Sequence, residues 1–306
     1  MGELFVAKKN THVIENDKLR VGLCSLGAEL LSLQDKVNNR ELLWQGDPAV
    51  WDGQAPLLFP MVGRLKTGGF THEGKRHEIG IHGFARFMEF QAVQESATAV
   101  SFTFASNAET RAQYPFDFTL TVRWSLDGGT LLKEHITTNT GRGDMWYEVG
   151  GHEGYRLPLL DGEKMGDYWL AFDGVDALHP FVNDDDKMIL DQKREVKLDR
   201  GRLRLDMGHF ANDALILDDF AKNKNKRKVE LHGPKTGRLL TVTFPDFDYL
   251  CLWTMWLPFD TNYICIEPSS ALPDFLRLGT ELTEKIGIRR LLPGQHERLA
   301  YAVEVG

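Results

Sequence analysis

A handful of polar side chains sit within three residues of glycine or proline at the margins of apolar segments: Arg64, His82, Arg86, His152 and Glu267. Arg64 follows Gly63, and His82 and Arg86 bracket the run His82-Gly83-Phe84-Ala85-Arg86. His152 follows Gly150-Gly151, and Glu267 stands between Tyr263-Ile264-Cys265-Ile266 and Pro268. A carboxylate and imidazoles together offer general acid–base chemistry, and guanidinium groups hold anionic or polar oxygens. Glu267 is the most informative of the set, because a carboxylate in so apolar a strand is costly to bury unless it is paired or functional. Strand alternation puts it on one face with Cys265, opposite Ile264 and Ile266. Taken singly, each residue is more often structural: a hydrogen-bonded histidine, a strand-end surface charge, an arginine in an ion pair. They lie far apart in the chain, so spacing alone does not bring them together.

Other patterns fail on a required residue. Gly63-Arg64-Leu65-Lys66-Thr67-Gly68 has the glycine spacing of a phosphate loop, but Gly69 stands where that loop needs lysine. His152-Glu153-Gly154-Tyr155-Arg156 opens like a zinc-protease helix but has arginine at the second ligand position. No His or Cys pair has metal-ligand spacing, so no metal site is read, and no Gly-x-Ser-x-Gly elbow occurs. The acidic Asp184-Asp185-Asp186 reads as a loop tip, the basic run Lys222 to Lys228 as a solvated hairpin tip, and His72 and His77 as exposed.

The net charge of −8 argues against a nucleic-acid-coating surface. Cys24, Cys251 and Cys265, sparse and without CxxC spacing, suggest reduced thiols in a cytoplasmic protein. The segment from Met1 to Val6 lacks a signal-peptide pattern, Gly2 lacks a myristoylation context, and no apolar run reaches membrane-spanning length.

These residues need strands to position them. Phe118 to Leu126 alternates apolar and polar residues, Asp127-Gly128-Gly129-Thr130 supplies a turn, and Leu131 to Thr138 returns. Ala99 to Phe104, Leu240 to Phe244 and Tyr301 to Val305 alternate in the same way. Helical signal is confined to Glu109 to Gln113, before Tyr114-Pro115. The expected fold is an all-β antiparallel sandwich or barrel, formed by residues 1–306 as a single domain.

At these positions the chain resembles the aldose 1-epimerase (galactose mutarotase) family. It is most similar to the shorter mutarotase-like branch sometimes found with lactose-utilisation genes. The motifs include Leu26-Gly27-Ala28-Glu29-Leu30, Leu58-Phe59-Pro60 with Val62-Gly63-Arg64-Leu65, and His82-Gly83-Phe84-Ala85-Arg86. Gly150-Gly151-His152, Asn212-Asp213-Ala214-Leu215 and Ile264-Cys265-Ile266-Glu267-Pro268 follow in order. The resemblance implies a large antiparallel β-sandwich of the galactose mutarotase-like (supersandwich) type that binds a sugar and needs no cofactor. It implies Glu267 as base, His152 as acid, His82 and Arg64 as residues that bind and polarise the sugar, and Asp213 as a contact to its hydroxyls. Arg86 is a phosphate contact or a structural ion pair.

The implied reaction interconverts α and β anomers: a proton leaves the C1 hydroxyl, the ring oxygen is protonated, the ring opens, and closure follows on the other carbonyl face. Such chemistry expects the acid and base on opposite sides of the C1–O5 unit. It also expects a bell-shaped pH profile with Glu267 on the acid limb and a partly protonated His152 on the alkaline one. The leading expectation is a free aldohexose; a hexose 6-phosphate 1-epimerase and a non-catalytic carbohydrate-binding or sensing protein are the alternatives. Two departures from the family pattern flank the proposed catalytic residues: Glu153 after His152, and Ser269-Ser270-Ala271 after Pro268.

Overall fold

The computed structural model describes residues 12–258 and 261–306, so the N-terminal motifs from Met1 to Val6 lie outside the described residues. Alternation in the sequence becomes alternation in burial. Strand Phe118–Asp127 buries Phe118, Leu120, Val122, Trp124 and Leu126, and pairs antiparallel with Thr130–Asn139 in the register Asp127↔Thr130. The turn between them rests on Gly128, whose φ of 53° suits a residue without Cβ.

This hairpin lies inside a nine-stranded antiparallel sheet. From one edge its strands are Arg202–Arg204, Trp169–Ala171, Lys228–Gly233, Gly237–Thr243, His296–Val305, Thr130–Asn139, Phe118–Asp127, Ala99–Ala105 and Gln91–Ser96. A second antiparallel sheet has the order Glu153–Arg156, Tyr263–Ser269, Tyr249–Trp253, Leu215–Leu217. A third begins the described chain with His12–Glu15, Leu19–Leu23, Leu30–Asp35 and Arg40–Glu41. Phe102, Leu120, Val122 and Trp124 of the large sheet join Leu250, Leu252, Ile264 and Ile266 of the second in one buried apolar cluster. The architecture is therefore an all-β antiparallel sandwich. Its short α-helix, Ala108–Gln113, is capped reciprocally by Asn107 and Thr110 and ends before Pro115. No helix among the described residues is long and apolar enough to cross a membrane.

Several local expectations change. Glu267 does not end its strand: Tyr263–Ser269 continues through Pro268, whose carbonyl accepts the Gly151 N–H. The run Lys222 to Lys228 is a crossover between Leu215–Leu217 and Lys228–Gly233, which belong to different sheets. Within it Arg227 is buried, donating to the carbonyls of Phe220, Ala221 and Pro245 and pairing with Asp248. His77 is buried against the Phe70 ring, and His72 is half-buried beside Phe116 and Trp146. The aspartates 184–186 form a loop tip between Phe181–Asn183 and Ile189–Lys193, as expected.

Candidate active site

One face of strand Tyr263–Ser269 packs Ile264 and Ile266 into the core, which turns Cys265, Glu267 and Ser269 the other way. Glu267 and Ser269 line a cavity of about 300 Å³. Neighbouring strands complete its floor. Cys251 pairs with Glu267 in the strand register, and Trp253 follows two residues on. On the other side Glu153 pairs with Ile266, placing His152 at the start of strand Glu153–Arg156. His152 Nε2 lies 3.4 Å from Glu267 Oε1, and both residues are buried. Trp51 stacks on the His152 ring at 5.2 Å, while Trp253 meets it edge-on at 5.6 Å.

The loop around Gly63 and the His82-Gly83 corner supply the facing wall. His82 adopts φ 63°, an uncommon backbone for a side chain with Cβ. Hydrogen bonds hold it there: its N–H donates to the Gly63 carbonyl, and its own carbonyl accepts the Phe59 N–H. Its Nδ1 accepts the Gly63 N–H at 3.1 Å, which leaves Nε2 to carry the proton of the neutral ring. Burial, helped by His152, Arg86 and Arg64, holds its pKa well below the usual histidine range. Part of the His82 surface stays open to the cavity, with its ring 5.3 Å from that of His152.

Arg64 is exposed at the cavity wall, and its side chain has no hydrogen-bond or ion-pair partner among the described residues. Asp213 lines the same cavity with φ 77°, and its Oδ1 accepts the Trp253 Nε1–H at 3.0 Å. Arg86 lines it too, its guanidinium 4.5 Å from the Phe87 ring centre. The structure thus brings Arg64, His82, Arg86, His152, Asp213 and Glu267 around one cavity.

The departures beside the catalytic candidates also resolve. Glu153 does not face solvent. It is buried with Lys133 Nζ at 2.8 Å and Tyr301 Oη at 2.6 Å from both carboxylate oxygens. Gly151 leaves room for this arrangement, since a Cβ there would lie 1.9 Å from Tyr301 Oη. Ser270 Oγ accepts the Val149 N–H, and Ser269 Oγ donates to the Ala271 carbonyl, so both serines fix the backbone around the cavity.

Burial orders the proton affinities in the sense opposite to the sequence expectation. It pushes Glu267 well above the usual carboxylate range, reinforced by Asp213 and Glu153 and opposed by the Cys251 thiol. It pulls His152 down to about 3, helped by Arg86 and Lys133. The pair at rest therefore favours a neutral imidazole beside a protonated carboxyl, sharing one proton.

His152, Cys265 and Glu267 also offer ligand atoms within 4.8 Å of one another, a donor set that could hold a metal ion. Residue spacing did not reveal it because His152, just before strand Glu153–Arg156, is distant in the chain from Cys265 and Glu267. Trp51, Cys251, Trp253 and Lys187 were likewise missed as cavity residues. Only the alternation of Tyr249–Trp253, which sets Cys251 and Trp253 on the face opposite Leu250 and Leu252, carried a signal.

The family model for aldose 1-epimerase matches residues 10–289. The chain belongs to the aldose 1-epimerase family. Protein LacX (plasmid) of Lactococcus lactis subsp. lactis is 33% identical over 303 residues, covering 95% of this chain and 98% of the relative. A galactose mutarotase related enzyme from Lactobacillus acidophilus superposes with TM-score 0.89 at 29% identity, covering 96% of this chain and 97% of that one. A galactose mutarotase-like protein from Lactobacillus casei does so with TM-score 0.87 at 30% identity, covering 96% and 99%. All six cavity residues named from sequence fall inside the stretch matched by the family model.

Proposed function

We propose that the protein is a cofactor-independent mutarotase interconverting the α and β anomers of a free aldohexose, with Glu267 and His152 as its proton-transfer pair. The observation that carries this reading is the 3.4 Å approach of a buried carboxylate and a buried imidazole at the wall of a sugar-sized cavity. With the two groups this close, they need not flank the C1–O5 unit. The C1 hydroxyl and the ring oxygen are attached to the same carbon, so adjacent proton acceptor and donor reach both.

A sugar hydroxyl entering beside Glu267 supplies the hydrogen bond that burial removed, which favours the carboxylate and passes the pair's proton to His152. Glu267 then takes the C1 hydroxyl proton while His152 protonates O5. The ring opens, the C1–C2 bond turns, and closure reverses the proton flow. The Nε2–H of His82 and the Arg64 guanidinium bind and polarise oxygens, Asp213 accepts from hydroxyls, and Trp51 and Trp253 give apolar walls for the C–H faces. Such acid–base assistance is worth ~10²–10⁴-fold.

A hexose 6-phosphate is the second reading, favoured by Arg64, Arg86 and Lys187 lining the same cavity. Polarimetry of freshly dissolved α-glucose, α-galactose and glucose 6-phosphate tests both. Faster approach to equilibrium with a free sugar, lost in Glu267→Gln, is expected. Wild-type rates in Glu267→Gln would sink the assignment, and acceleration restricted to the phosphate ester would replace the first reading by the second. Sugar binding without any acceleration would identify a carbohydrate-binding protein.

A further inference from the structure

Arg64 reaches the cavity from a loop whose anchors lie behind the wall. Glu148, Asp274 and Lys285 are all buried there. Lys285 Nζ lies 3.3 Å from Glu148 Oε1 and forms a close ion pair with Asp274. The two carboxylates grip the loop on either side of Arg64. Glu148 Oε2 accepts the Val62 N–H at 2.7 Å, and Asp274 Oδ2 accepts the Lys66 N–H at 2.8 Å. Backbone bonds close the same frame: the Glu148 N–H donates to Pro60, and the Asp274 N–H donates to the Arg64 carbonyl. Gly63 is pressed against Pro273, where a Cβ would lie 2.4 Å from the proline ring.

Both carboxylates also belong to segments that build the rest of the site. Glu148 precedes Val149-Gly150-Gly151-His152, and Asp274 follows the cavity-lining Leu272-Pro273. Two buried acids this close would repel and neutralise without a cation between them. Burial pushes the Glu148 carboxyl up to about 7, opposed first by Lys285 and then by the Val62 N–H. Arg64 has no partner of its own among the described residues, so its placement depends on the backbone beneath it.

We propose that Lys285 is a positioning residue for Arg64. By joining Glu148 to Asp274 it clamps the segment from Val62 to Lys66, and loss of the clamp weakens sugar capture while leaving proton transfer at Glu267 and His152 intact. The inference rests on the mutarotase reading for its sugar, and its test separates the two. Lys285→Met is expected to raise KM for α-galactose or α-glucose about tenfold with kcat within about threefold, the pattern of binding lost equally from ground state and transition state. Arg64→Ala should raise KM comparably, and in that background Lys285→Met should add less than about twofold, because both changes remove the same contact. Effects that multiply, an unchanged KM, or a loss confined to kcat would overturn the proposal.

If Lys285→Met does not fold, Asp274→Asn removes the charge but keeps an acceptor for Lys66. It should raise KM in the same direction by a smaller factor, and an unchanged KM there overturns the clamp. Should the wild type bind sugar without interconverting anomers, the catalytic reading fails while the clamp is still read from sugar-dependent fluorescence of Trp51 and Trp253. A tenfold weaker Kd in Lys285→Met supports it, and an equal Kd overturns it. A wild type that binds neither sugar overturns both.

Discussion

Glu153 and Glu267 sit on neighbouring strands, both buried, and meet opposite fates. Glu153 has a lysine at 2.8 Å and a phenol on both oxygens. Among the described residues, Glu267 has only the Cys251 thiol and a histidine at 3.4 Å. Burying a carboxylate costs several kcal/mol unless a cation or hydrogen bonds offset it. Glu153 is offset and holds strands together, whereas Glu267 is left under-satisfied at the cavity, where an arriving hydroxyl can complete it. On the mutarotase reading, adjacent acids of the same type are thus separated into a structural role and a proposed chemical one by what surrounds them.

The sharpest way to break this contrast is to neutralise each acid in turn. Glu267→Gln should lower mutarotation by ~10²–10⁴-fold, read by polarimetry, with urea unfolding at or above wild-type stability. Glu153→Gln should instead cost ~3–5 kcal/mol in urea unfolding, because Lys133 is left buried without its counter-charge. Exchanged outcomes would mean that the roles of the two acids are reversed.

Acidity gives a second, smaller effect. A carboxyl whose folded pKa is raised above the ordinary 4.5 binds more protons folded than unfolded. Its stabilising contribution is complete below that value and lost as pH rises toward the folded pKa. From pH 4.5 upward, wild type should therefore lose stability relative to Glu267→Gln by up to about 1.4 kcal/mol per pH unit, measured by urea unfolding at each pH. For His152 the sign is opposite: held neutral down to about 3, it withdraws stability as pH falls below 6.5. Because desolvation keeps the His152 imidazole neutral down to about 3, His152 itself should contribute no limb at the ordinary histidine value. A His152 ring that titrates near pH 6.5 by NMR would contradict this ordering.

The smallest expected effect is at the aromatic wall. Trp253→Phe removes the indole N–H from Asp213 and should weaken sugar binding by about 1 kcal/mol, a severalfold higher KM, without altering the Glu267 to Glu153 contrast.

Much of the fold was legible because burial on one face imposes a period of two, which Phe118 to Leu126 displays without interruption. Glu267 was legible for a related reason: a charge among Ile264, Cys265 and Ile266 conflicts with its surroundings. What escaped depends on contacts between distant segments. Arg227 looked solvated because its neighbours are lysines, yet its guanidinium is consumed by carbonyls across a crossover. His77 looked exposed between Arg76 and Glu78, but the short strand Lys75–Glu78 turns it alone inward. The ordering of proton affinities at His152 and Glu267 follows from desolvation, which no local motif records. Lys285, Glu148 and Asp274 carry no motif at all.

Gly151 connects these observations through a methyl group that is not there. Any side chain at that position would displace the Tyr301 hydroxyl and with it the hydrogen bonds that complete Glu153. Lys133 would then hold its buried partner alone, and the field reaching Glu267 from Glu153 would change. A purely steric constraint, one residue before the proposed acid, is in this way transmitted as electrostatic tuning of the proposed base.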